Sequence, residues 1–354
     1  MGVPEVLERD RGLPAEALHR RSWRVAQAGK LATYWRLARP ATLGPPLLGM
    51  LSGAISGVGA LAHRHGEGFL QYLAAEDRLA SLGLFALYGA LMAATLNAAS
   101  NILNQLCDIE NDSINKPDRP LPAGQVSERE AVVLFGVLYA VSLATAWFVK
   151  PLPGNSIWAR QCFWIAVLAA ILTYVYSAPP LRTKRWGWAA QFTIAVPRGM
   201  LLKVCGWSCV AGVFSDPEPW YIGLVFFLFL LGASATKDFA DMAGDAKAGC
   251  FTLPVRYGVR SAAWQIGPFF AIPWMLLPLG THVFRRGDGA PLLSGDPTVL
   301  TALGIVLAAY GVYTVSLILR DPESLARTEN HPSWTHMYRM MMVGQLGLAA
   351  AYVV

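Results

Sequence analysis

Two short stretches of this chain carry carboxylates at helical spacing. In the first, running from Asn101 to Pro122, residues Asn104, Asp108 and Asp112 fall at i, i+4 and i+8. On a continuous helix these three side chains share a face within an arc of about 80°, with Asn101 one turn away on the same side. The second stretch runs from Lys237 to Lys247, and its Asp238, Asp241 and Asp245 fall at i, i+3 and i+7, again one face of a helix. Like charges at such spacing repel on a bare helix, so two clusters of this kind call for a cation between them. Oxygen ligands without a histidine or cysteine cage suit Mg²⁺, which keeps several waters and commonly shares phosphate ligands with a substrate. Two facing Asp-rich helix ends holding Mg²⁺ would grip a diphosphate. A solvated acidic helix end is the plain alternative for one cluster. Two clusters, each with adjacent Lys or Arg, argue against it.

A third stretch supplies cations. Tyr176, Arg182 and Lys184 flank or follow the rigid Pro179-Pro180 turn, which suits aiming them at a phosphate leaving group. Arg185 beside them reads as an ordinary membrane-flanking cation. Arg198 and Lys203 are different, because they interrupt an otherwise apolar run. A charge at membrane depth is costly and usually faces a cavity or a partner. Arg198 sits about ten residues from the nearer end of its run, too far to reach the interface with ease. The sequence therefore points Arg198 at a cavity; a loop, or both charges reaching an interface, is the plain alternative.

The elements that must position these groups are membrane-spanning helices. Hydrophobic residues make up 54% of the 354 residues and charged residues only 15%; the mean hydropathy is +0.39. A soluble domain carries roughly 25% charged residues, and here the apolar residues come in runs of about twenty, the length that spans a bilayer. Soluble enzymes, disulfide scaffolds and disordered chains are excluded. The expected fold is all-α, a polytopic membrane protein of about nine helices near 41–61, 82–107, 130–149, 157–177, 188–213, 219–236, 261–283, 297–319 and 336–354. Residues 1–30 read as a polar, disordered cytosolic arm, and residues 31–354 as one transmembrane domain.

With Arg160 and Arg339 counted with the connections they adjoin, 21 Lys and Arg residues precede the first helix or fall in connections after even-numbered helices, against 6 in the other connections. Positive residues stay inside. The N terminus and both Asp-rich connections are thus expected in the cytoplasm and the C terminus outside, with a bacterial inner membrane as the default location. The net charge of +6 is explained by topology and anionic lipid rather than nucleic acid. Five cysteines without CxxC spacing read as membrane-packed thiols. His63 and His65, two apart on a loop, read as surface residues, and Gly53, Gly57 and Gly59 as a close-packing helix face.

Taken together, these motifs resemble the UbiA-type intramembrane prenyltransferases, in their aromatic, quinone-precursor branch. The resemblance rests on Asn104-Asp108-Asp112, on Asp238-Asp241-Asp245, and on the stretch from Tyr176 to Arg185. It also rests on Lys116-Pro-Asp-Arg119-Pro, the stretch from Thr252 to Gly258, and Arg36-Leu-Ala-Arg39-Pro40. The Arg198-Gly-Met-Leu-Leu segment is similar to one in homogentisate prenyltransferases. The Tyr176–Arg185 type of stretch also occurs in chlorophyll synthases and archaeal glycerol-lipid prenyltransferases. The similarity runs from about Tyr34 to the C terminus and departs at Gln105, where the family often has Asp.

What the resemblance implies is a central cavity capped by the two Asp-rich loops. A prenyl group would pass from an isoprenyl diphosphate, with Mg²⁺, to a lipophilic, aromatic acceptor. Asp108, Asp112, Asp238, Asp241 and Asp245 would hold the metal and, with Lys184, do the chemistry. Asn101, Asn104, Lys116, Arg119, Tyr176, Arg182, Arg198 and Lys237 would bind substrate. The bilayer is a partner; nucleic acid is not, and no obligatory protein partner is implied. A membrane terpene cyclase would use the same Asp clusters, and a chlorophyllide or glycerol-phosphate lipid acceptor stays open. A cation-coupled transporter is disfavoured, because its ionisable groups belong near the midplane.

Overall fold

The computed structural model describes residues 29–75, 78–153, 156–327 and 331–354. Most of the expected polar arm, up to residue 28, lies outside the described residues. The described chain begins with a surface helix α1 (Lys30–Leu37). The spanning helices α2 (Gly44–His65) and α3 (Arg78–Cys107) follow, and then a short α4 (Ile109–Asn115). Next come α5 (Glu128–Phe148), α6 (Gln161–Ser177) and α7 (Gly187–Ala195). A π-helical turn (Val196–Leu201) joins α7 to α8 (Leu202–Trp207). Beyond it are α9 (Pro217–Ala233), the short α10 (Thr236–Ala240) and α11 (Met242–Lys247). The chain closes with α12 (Val259–His282), α13 (Pro297–Arg320) and α14 (Pro332–Val353).

Among the described residues, six helices are long and apolar enough to cross a membrane. With α6, the α7–α8 pair and α14, the described residues form about nine helical segments, close to the expected boundaries. The largest difference is in the fifth segment. It ends at Trp207 rather than near 213 and is widened by the π turn around Pro197, which has no N–H to give to the ladder. α12 is also irregular, passing through a 3-10 turn at Ile272–Met275.

Lipid exposure follows composition. The spanning window of α5 is only 17% buried, and Val132, Val133, Val137 and Val141 face outward. Its N-terminus is closed by a capping box, Ser127 and Glu130 exchanging side-chain and backbone hydrogen bonds. The hub of the bundle is α2. A Cβ at Gly53 would lie 2.7 Å from the Lys203 carbonyl and 3.0 Å from the Gly206 Cα, and one at Gly59 would lie 2.0 Å from the Tyr352 carbonyl. Glycine there lets α2 press against α8 on one side and α14 on the other, as the small-residue pattern predicts. Lys203 does not snorkel. Its side chain is buried, donating to Ser52 Oγ at 3.0 Å and lying over the Phe226 ring.

Candidate active site

Both carboxylate stretches lie at one end of the bundle, and neither is a continuous helix. α3 stops at Cys107, Asp108 leaves helical geometry (φ −117°, ψ 14°), and α4 restarts the helix. The second stretch likewise breaks at Asp241, between α10 and α11. The expectation of one unbroken helix through Asn104, Asp108 and Asp112 is therefore corrected. The break costs nothing in placement. Asn104, Asp108, Asp112, Asp238, Asp241 and Asp245 all line one polar pocket, joined there by Lys116, Arg119, Tyr176, Lys184 and Lys237.

Each carboxylate is held. Asp108 accepts from Asn104 at 3.0 Å and from Arg182 at 3.1 Å, and pairs with Lys184. Arg119 donates to Asp112 at 2.5 Å, and Lys116 to both oxygens of Asp241 at 2.8 and 2.9 Å. Gln191 donates to Asp238 at 2.6 Å and Asn111 to Asp245 at 3.1 Å. The Lys116–Asp241 pair and the Asn111–Asp245 bond tie the first stretch to the second. Burial pushes the Asp245 carboxyl above its usual range, against the stabilising bond from Asn111. Among the described residues, no three His, Cys, Asp or Glu side chains converge closely enough to hold one ion as they stand. Chain cations occupy the carboxylate faces instead. The donor set is all oxygen, and hard-cation chemistry fits it.

A second, mainly apolar cavity lies beneath the polar pocket, inside the helix bundle, and Thr42, Lys237 and Trp334 line both. Lys237 is held at the junction by its bond to the Tyr176 hydroxyl, 2.9 Å. Arg198 lines the apolar cavity and not the polar pocket, exposed into its lumen by the π turn. The side chain the sequence aimed at a cavity is at one.

Two expected site residues face elsewhere. Asn101 spends its amide on the Ala38 carbonyl (3.1 Å) and the Thr42 hydroxyl (2.8 Å) and lines neither space. It positions the start of α2. Arg182 reaches the pocket only through Asp108 and the Cys107 carbonyl. Gln105, the departure from the family pattern, donates to the Leu37 and Asn101 carbonyls and is buried away from the carboxylates. Its side chain braces α1 against α3.

Sequence reasoning missed Arg39 and Trp334. Arg39 lines the polar pocket, and its buried Nη2 has no partner among the described residues. Burial, with Arg119 and Arg198 nearby, pushes its guanidinium down to about 10. Its backbone is left-handed (φ 55°), a conformation uncommon for a non-glycine residue. The Arg39-Pro40 pair was a visible signal. Trp334 gave none, since nothing marks one tryptophan among twelve.

A pocket of paired carboxylates and cations set over an apolar cavity is the arrangement the motifs implied, and comparison with known proteins gives the family. The sequence profile of the UbiA prenyltransferase family matches residues 68–338. The chain belongs to that family. It is a membrane prenyltransferase. A bacteriochlorophyll synthase 34 kDa chain of Chloroflexus aurantiacus is 27% identical over 315 residues, covering 89% of each chain. A digeranylgeranylglyceryl phosphate synthase of Methanopyrus kandleri is 32% identical over 202 residues, 56% of this chain and 67% of that one. The chloroplast chlorophyll synthase of Arabidopsis thaliana is 28% identical over 230 residues, 64% of this chain but only 55% of the plant protein. Among solved structures, a UbiA homolog from Archaeoglobus fulgidus bound to DMAPP and Mg²⁺ superposes with a TM-score of 0.61 at 22% identity. The superposition covers 91% of this chain and 99% of that one. That likeness shows the fold.

Proposed function

We propose that this prenyltransferase moves a prenyl group from an isoprenyl diphosphate to a lipophilic acceptor in an Mg²⁺-dependent reaction. The observation that carries the reading is the stacking of two spaces. Five aspartates and their cations line the polar one, the apolar one lies inside the bundle, and three residues line both. A donor with a charged head and a hydrocarbon tail fits that division.

Asp108, Asp112, Asp238, Asp241 and Asp245 would hold Mg²⁺, which supplies neutralisation of the leaving diphosphate. The chain's own cations do the rest. Lys116, Arg119 and Lys184 now pair with carboxylates and would turn onto phosphate oxygens, while Arg39 already presents an unpaired N–H. Lys237, held by Tyr176, sits where head and tail meet. Preorganised donors at the point where charge develops are the largest contribution such a site can make. Trp334 puts a π-face at the same junction, able to steady an allylic cation. Among the described residues the apolar cavity has no Asp, Glu or His in its wall, so it offers that cation no carboxylate or imidazole base.

The acceptor we propose is lipophilic and carries an anionic or strongly polar group to meet Arg198. An aromatic acid of the quinone-precursor kind meets that description. The relatives' names, chlorophyll and glycerolipid phosphate synthases, favour a second class, a chlorophyllide or glycerol-phosphate lipid. We place the site, the N terminus and the even-numbered connections on the cytoplasmic side, on the strength of the positive-charge bias.

The test is diphosphate release by the purified protein in nanodiscs. Mg²⁺ and dimethylallyl, geranyl, farnesyl or geranylgeranyl diphosphate would be supplied, with and without a pool of aromatic, tetrapyrrole and glycerol-phosphate acceptors. Acceptor-dependent release supports transfer and names both substrates. Release with no acceptor, giving a hydrocarbon or alcohol, would replace transfer with cyclisation or hydrolysis. No release under any combination overturns the reading.

A further inference from the structure

The apolar cavity has a floor, made by side chains of five helices. At its far end the wall is Met50 of α2, Met92 of α3, Ile165 of α6, Cys205 of α8 and Gln345 of α14. Below that layer the helices close up. A Cβ at Gly206 would lie 2.4 Å from the Met50 carbonyl and 3.0 Å from the Gly53 Cα, so α2 and α8 touch backbone to backbone. Over Gly89, one turn below Met92 and Ala93, the space is filled. A Cβ there would meet the Met50 Cε at 2.7 Å and the Cys209 Sγ at 2.4 Å. The Met50 side chain, together with Cys209, thus fills the space over a glycine, and cutting Met50 back would open its share of that space.

From this geometry we infer that Met50 sets the length of prenyl chain that fits, and that the wild-type cavity takes up to about three isoprene units, the farnesyl class. The inference rests on the proposed function. Helix rise gives the depth. Thr42, in the turn just before α2, to Met50 on α2, and Ser100 to Met92 on α3, each span eight residues or about 12 Å, and Trp334 to Gln345 on α14 about 16 Å. An extended isoprene unit advances four carbon–carbon bonds, about 5 Å. Between about two and three units below the junction therefore reach the Met50 layer, and a fourth would have to fold back or displace the methionine. Methionine is the residue type best able to yield and refill such a space, and its unbranched end leaves a slot when cut back.

The experiment is a binding series with Mg²⁺ on the full chain in nanodiscs. Inorganic diphosphate and dimethylallyl, geranyl, farnesyl and geranylgeranyl diphosphates are compared for wild type, Met50→Ala and Ala93→Phe. Ala93 lies one residue from Met92 on the same cavity wall, and a phenylalanine there raises the floor. For the wild type, Kd should fall at least fivefold per unit up to farnesyl and then level off. Met50→Ala should improve the geranylgeranyl-to-farnesyl affinity ratio at least fivefold, and Ala93→Phe should move the plateau back to geranyl. Inorganic diphosphate bound as tightly as by wild type shows that a variant keeps its polar pocket. If Met50→Ala fails that control, the Ala93→Phe plateau decides. Plateaus that coincide in all three proteins overturn the floor and leave the prenyltransferase reading standing. Failure of wild type to bind any of the five ligands with Mg²⁺ overturns both.

Discussion

At the scale of single residues, each aspartate is satisfied by a cation or amide that a phosphate would claim. Replacing Asp108 or Asp241 with alanine therefore does two things at once: it removes a proposed metal ligand, and it leaves Lys184 or Lys116 without its partner. Turnover should fall at least 100-fold in either variant, while the thermal midpoint in detergent stays within a few degrees. Product formation near the wild-type rate would sink the metal assignment. Arg198→Leu separates a substrate contact from a structural one. The side chain is exposed into the cavity, with no hydrogen bond or ion pair recorded for it among the described residues. Its loss should therefore raise the acceptor KM or lower kcat about tenfold or more without harming insertion. Kinetics indistinguishable from wild type would make it a bystander.

At the scale of elements, close approach and irregularity do the positioning. α2 carries glycine wherever α8 and α14 cross it, and that crossing is also what ends the cavity. Gly53→Val would push two side-chain methyls into the Lys203 carbonyl and the Gly206 Cα. Overpacking of this kind typically costs about 1–3 kcal/mol, read as a lowered thermal midpoint in detergent. An unchanged midpoint would mean that α2 and α8 are free to part. The π turn at Val196–Leu201 is the other device. By widening one helical turn it brings Arg198 to the lumen, while Gly199 lies against the Phe227 backbone, where a Cβ would sit 2.7 Å from its Cα.

At the scale of the whole molecule, the end opposite the aspartates is locked. Glu218 is fully buried. Its carboxylate takes hydrogen bonds from Arg64 (2.6 Å), from the Ser294 backbone N–H (2.5 Å) and hydroxyl (2.8 Å), and from the Tyr352 hydroxyl (2.5 Å). Arg286 lies 3.6 Å away. One side chain thus joins α2, α9, the loop before α13 and the last turn of α14. Breaking a buried pair by removing one charge costs about 3–5 kcal/mol. Glu218→Gln should therefore lower the thermal midpoint more than any single aspartate variant at the active site, with donor affinity retained at temperatures where it is folded. A chain beginning at Gly29 should keep its activity in vitro, because among the described residues the pocket is lined from Arg39 onward. A dead truncated enzyme would show that the preceding residues contribute to it.

The sequence by itself determined the bilayer-spanning character, the approximate helix spans and the two Asp-rich connections. Each of these depends on composition and local period: runs of about twenty apolar residues, charges three and four apart, and a proline pair before three cations. It also singled out Arg198, because a charge inside an apolar run carries its own physical argument. Tertiary structure decided which polar residues face one another. Asn101, Gln105 and Asn104 fall within one helical turn or so, yet Asn104 reaches an aspartate while the other two brace α1 and α2. The break at Asp108, the π turn that turns Arg198 inward, the junction at Trp334 and the methionine folded over Gly89 are equally absent from the one-dimensional pattern. Each is set by contact between helices tens to hundreds of residues apart in the chain, where backbone approach at a few glycines fixes what space is left for a ligand.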